Sequence, residues 1–155
     1  MIITKSIDIE DEIRRALGAY MTTYVRPLPA DYRLPHILIT QVGGTESQTI
    51  DTFAVVLDSR AKTEAEALDY LNTAIGVLKQ VAKEQESELR YVTVNSSGSW
   101  GNDPVRPDLA MCSARLEVVA HQKKTEILSR IKQVVSEQGN RIVSDDQSGI
   151  ISSEV

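Results

Sequence analysis

Between residues 31 and 60 the sequence DYRLPHILITQVGGTESQTIDTFAVVLDSR carries two apolar runs, 36–42 and 50–57, divided by the polar break GGTESQT. Two β-rich segments joined by a short glycine-containing connection read as an antiparallel hairpin. In the second segment, alternation places Phe53, Val55 and Leu57 on one face and Ile50, Thr52, Ala54 and Val56 on the other. Both faces are largely apolar, whereas an antiparallel sheet with one wet face alternates apolar with polar. The hairpin is therefore expected to be covered twice, by the chain's own helices on one side and by another protein chain on the other. A central strand inside one two-sided core is the alternative that the same pattern allows.

A chain of 155 residues is one ordinary domain, long enough to bury roughly two-thirds of the surface its unfolded form exposes. One Trp, one Phe and five Tyr leave the core to aliphatic side chains. The net charge of -5 disfavours general binding to nucleic acid, whose phosphates call for a basic surface. With Cys112 the only cysteine, an intrachain disulfide or a cysteine-rich zinc site is ruled out, which suits a reducing compartment. The opening MIITKSIDIEDE lacks the apolar core of a secretion signal, and no apolar run approaches the length of a membrane span. The expectation is a soluble protein with no membrane partner.

Asp8 can cap a first helix over residues 9–20, with Ile9, Ile13, Ala16, Leu17 and Tyr20 on its buried face and Glu10, Asp11, Glu12, Arg14 and Arg15 outward. Pro27, Pro29 and Pro35 make 24–35 an extended linker with a short edge strand at 23–26. Thr63 and Glu66 form a capping-box pattern before a helix over 64–85, whose Leu68, Leu71, Ile75, Leu78 and Ala82 make one stripe. Residues 89–96 read as a strand, and SSGSWGNDPVRPD, 96–108, as a loop. A strand over 109–121 sets Ala110, Cys112, Ala114, Leu116, Val118 and Ala120 against Met111, Ser113, Arg115, Glu117 and Val119. Thr125 can cap a third helix carrying Ile127, Ile131, Val134 and Val135 and stopping at Gly139, and 140–155 reads as a polar arm. The domain expected is 1–124, with 125–155 a C-terminal helix and flexible arm.

This order suits an α+β fold: a two-layer domain with a mainly antiparallel sheet flanked by helices on one face. The far face would then carry Thr52, Ala54, Val56, Ser113, Arg115 and Glu117, too polar for a core and too apolar at one end for open water. An intersubunit surface accounts for that mixture.

The sequence holds no nucleophile elbow, phosphate loop, dinucleotide fingerprint or metal-ligand spacing, so neither catalysis nor a cofactor nor a metal is expected. His36 and His121 stand at strand ends without a matching acid or nucleophile and read as surface or strand-end residues. Trp100 sits among small and charged neighbours, as an interface anchor would; folding back as a lid over a sheet edge is its alternative. Arg33 and Arg106 are candidates for ion pairs between subunits.

Several stretches resemble the tail terminator, or tail completion, proteins of long-tailed bacteriophages. They are Leu34 and Pro35 leading into ILITQVGG, the second strand containing Asp51, the helix TEAEALDYLNTAIGVL, and GSWGNDPVRPD with Gly98, Trp100, Asp103, Pro104, Arg106 and Pro107. The resemblance covers residues 6–121. It implies a structural virion protein, assembled in the host cytoplasm, that forms a ring, typically a hexamer, and caps the tail tube to stop its growth. Its implied partners are other copies of itself, the tail tube protein and a head-completion or connector protein. The interface candidates are then Trp100, Asp103, Arg106 and Arg33 around the loop, with Thr52, Ala54, Val56, Arg115 and Glu117 on the sheet.

Overall fold

The computed structural model describes residues 1–129. In chain order they form β1 (Ile2–Lys5), α1 (Ile9–Gly18), β2 (Thr23–Val25), β3 (His36–Glu46), β4 (Ile50–Ala61), α2 (Glu64–Glu84), β5 (Leu89–Asn102), β6 (Ala110–His121) and β7 (Lys123–Glu126). By packing, the described residues divide into Ser6–Gln122 and a second unit formed by Met1–Lys5 with those from Lys123.

The larger unit is an α+β fold around a five-stranded sheet in the order β2-β3-β4-β6-β5. β2 runs parallel to β3, and every other pairing is antiparallel. The Val-, Ile- and Leu-rich strands alternate as expected. Phe53, Val55 and Leu57 of β4 join Cys112, Ala114, Leu116 and Val118 of β6 and Ile37 and Ile39 of β3 in one buried cluster. Both helices close that face. α1 supplies Ile9, Ile13 and Leu17; α2 supplies Ala67, Leu71, Ala74, Ile75, Leu78 and Ala82. Each large aliphatic side chain sealed there contributes on the order of 1.5–3 kcal/mol.

The helix starts follow their caps. The Asp8 carboxylate accepts from the Asp11 N–H at 3.2 Å, and the Thr63 hydroxyl accepts from the Glu66 N–H at 3.2 Å. The faces differ from the expected ones in three places. α1 stops at Gly18, so Tyr20 lies beyond its stripe and is exposed. Glu12, expected outward, is buried because its carboxylate holds Arg15 at 3.1 Å and the Glu88 N–H at 3.3 Å. On α2 the helix turns Ala67 and Ala74 inward and leaves Leu68 part-exposed. Leu71, Ile75, Leu78 and Ala82 are buried as expected, and the small alanines let the helix lie close to the sheet.

The polar break after residue 42 is shorter than its composition suggests. β3 runs on through Gly43 and Gly44 to Glu46, after a bulge between Gln41 and Gly43. Gly44 has a positive φ of 151°, and a Cβ there would stand 2.5 Å from the Thr52 carbonyl oxygen, so only glycine fits. Ser47 closes the turn, its N–H donating to the Ile50 carbonyl at 3.0 Å. β5 likewise extends to Asn102, so residues 96–102 are an edge strand where a loop was expected. Its register shifts three times along β6, between Leu89 and Tyr91, Val94 and Ser96, and Ser96 and Ser99. Bulges are how a Ser- and Gly-rich segment stays in a ladder.

The smaller unit pairs β1 with β7 antiparallel, Ile2 opposite Glu126 and Lys5 opposite Lys123, and the Ile127 N–H donates to the Met1 carbonyl at 2.8 Å. Thr125, expected to cap a third helix, lies instead in β7 opposite Ile3. Its branched Cβ suits a strand as well as its hydroxyl suits a cap. Glu126 is in β7 too, Ile127 is exposed and 127–129 are not helical; the remainder of that expected helix and the terminal arm, 130–155, lie outside the described residues.

Candidate assembly surfaces

The sheet face turned away from the helices gathers five of the nine interface candidates. Register puts Val56 opposite Arg115, Ala54 opposite Glu117 and Thr52 opposite Val119. The rows continue to β3 through Thr40, Gly43 and Thr45, and to β5 through Ser96, Thr93 and Tyr91. Thr52, Ala54 and Val56 are half-buried, Arg115 and Glu117 are exposed, and Tyr91 is 71% exposed. Farther along, the Ser113 hydroxyl donates to Asp58 at 2.5 Å, fixing that cross-strand pair. The result is a mixed face, with Val56, Ala54, Val119 and Tyr91 among threonines and one cation and one anion on adjacent rows.

Trp100 belongs to the opposite side. It pairs with Cys112, whose side chain points to the core, so the indole lies on the helix side of the edge strand and is 47% exposed. Beside it a cavity of about 460 Å³ is lined by Lys62 and Glu64 at the head of α2, by Pro107, Asp108 and Leu109, and by Met111. Arg106 is exposed and forks onto Asp108, Nε at 3.0 Å and Nη2 at 2.9 Å. That hydrogen bonding and charge hold the Asp108 carboxyl below the usual carboxylate range and the guanidinium above its own. Arg106 thus has a partner within its own chain.

Asp103 is placed differently from expectation, whereas Arg33 is exposed as an interface candidate would be. Asp103 is buried: its Oδ2 accepts from Arg60 Nε at 2.8 Å, and its Oδ1 accepts from the Val105 and Arg106 N–H groups at 2.9 and 3.1 Å. Burial raises its carboxyl pKa, but the two N–H donors and Arg60 outweigh it, and the net direction is down. Asp103 therefore serves the fold as a clamp on the turn after β5. Arg33 is exposed at its side chain, while its backbone is engaged at both ends.

His36, expected as a surface or strand-end residue, does open β3 but is fully buried. Its ring takes Tyr24 and Tyr32 edge-on at 5.2 and 4.9 Å between centroids, and it stands directly opposite Arg60 across β3 and β4. Alternation continued along β4 reaches Arg60 on the Val56 face, so the sequence did carry a signal that a cation would share this corner with His36. Nothing local marked Asp103 as its counter-ion. Asp51 is buried too, accepting from the Ser6 hydroxyl at 2.6 Å and from Gln122 Nε2 at 2.8 Å. It ties the two ends of the larger unit together.

Among the described residues no group of three or more His, Cys, Asp or Glu side chains converges as a metal ion would require, and no helix is long and apolar enough to cross a membrane. The lone thiol of Cys112 is buried, and burial pushes its pKa up, away from the nucleophilic thiolate. Neither a family model nor a curated protein matches this chain.

Proposed function

We propose that the protein is a structural subunit that assembles with copies of itself into a closed ring, caps the tail tube of a long-tailed bacteriophage, and offers the head its joining surface. It works by binding, without catalysis or cofactor. The observation that carries this reading is the outer sheet face, where Thr52, Ala54 and Val56 stay half-buried beside exposed Arg115, Glu117 and Tyr91. The resemblance of residues 6–121 to tail terminators supplies the particular role.

A ring needs two different patches on each subunit, meeting head to tail. The outer face and the Trp100 side lie on opposite faces of one sheet and suit that requirement. Light scattering and electron microscopy on the purified chain, alone and with polymerising tube protein, test the proposal. Closed rings that arrest tube growth are expected. Long tubes from this protein alone would make it a tube subunit, and a monomer that leaves tube growth unchanged would end the reading. Trp100→Ala should weaken ring formation by on the order of 2 kcal/mol with the fold intact.

A further inference from the structure

Three stretches far apart in the sequence meet at His36. The Tyr24 hydroxyl accepts from the Arg33 N–H at 3.0 Å, and the Arg33 carbonyl accepts from His36 Nδ1 at 2.8 Å, so the segment between β2 and β3 is fastened to the ring. Arg60 comes from β4 and holds Asp103, which in turn fixes the turn at Val105 and Arg106. With its proton on Nδ1, His36 presents Nε2 as an acceptor. Among the described residues neither Nε2 nor Arg60 Nη1, both buried, has a hydrogen-bond partner.

The groups facing the imidazole leave no place for a second proton. From β2 and the segment after it come Tyr24 and Tyr32, edge-on. From β4 comes the Arg60 cation. From the turn after β5 comes Asp103, whose oxygens are taken by Arg60 and two backbone N–H groups. A proton on Nε2 would set one buried donor and charge beside another with no free acceptor.

We propose that His36 is an acid-released clasp: protonation at Nε2 frees residues 26–35 and 103–108 from the sheet, and with them the Pro107–Leu109 wall of the cavity beside Trp100. This inference is independent of the ring proposal. Burial, reinforced by Arg60 and opposed by the Arg33 carbonyl and Asp103, holds the imidazole below its ordinary value of 6.5. Because the folded pKa is depressed, the unfolded or opened state binds more protons below 6.5. The clasp is fully closed above that pH and loses stability as pH falls toward the folded value.

The test is amide hydrogen exchange on the full chain at about pH 7.5 and about pH 5, corrected for intrinsic rates, beside an NMR titration of both imidazoles. Protection in 26–35 and 103–108 should fall about tenfold or more, with β4 and β6 holding, and the step should coincide with the His36 titration. His36→Gln should abolish the response, and His121→Gln should keep it. Uniform loss across the sheet, a response that survives in His36→Gln, or a His36 midpoint at or above 6.5 would overturn the clasp. Should His36→Gln fail to fold, the coincidence in the natural chain decides, and its absence counts against the proposal.

Discussion

On β4, Phe53, Val55 and Leu57 are sealed beneath two helices, while Thr52, Ala54 and Val56, their immediate neighbours in the chain, stay half-buried on the side away from those helices. The inner face is finished: its partners all come from the same 117-residue stretch between Ser6 and Gln122. The outer face is apolar enough to gain from cover, yet its cover within the larger unit is partial. Burial of a side chain is thus set by what its face meets, and residue type alone is a poor guide to it.

Putting the same substitution on each face is the sharpest way to break this comparison. Leu57→Glu should cost about 4 kcal/mol or more and unfold the domain, since it puts an unpaired carboxylate into a closed core. A urea titration followed by circular dichroism reads it. Asp103→Ala should cost about 3 kcal/mol by stranding the buried Arg60 charge, a loss visible in the same titration. Val56→Glu should cost the fold only about 1 kcal/mol while abolishing self-association in sedimentation. If it unfolds the chain instead, the outer face is core and the two faces are equivalent. Arg115→Ala should change stability by at most about 0.5 kcal/mol, and its effect should show only as weaker assembly.

Much of this arrangement was legible in the sequence. The two-residue alternation in β4 and β6 assigned both faces, and Asp8 and Thr63 marked both helix starts, because these signals are local. The shared surface of Thr52, Ala54, Val56, Arg115 and Glu117 followed from the same alternation. Trp100 was misplaced in a loop because Gly98, Ser99 and Gly101 carry turn chemistry, whereas the backbone keeps pairing by bulging. His36 stands at a strand end as its sequence suggests, but its burial and that of Asp103 depend on Tyr24, Tyr32 and Arg60, partners brought in by tertiary folding. Thr125 could serve a cap or a strand, and only its partner Ile3 decides between them.

The three slips in the β5 ladder have a consequence for growth. Among the described residues this long strand leaves one rim of the sheet unpaired, and an unbroken rim of that length would template another chain backbone to backbone, the route to fibres. Interrupted at Tyr91, Ser96 and Ser99, it offers no run of evenly spaced amides long enough to copy. Backbone-to-backbone joining of a second chain along this rim is thereby disfavoured.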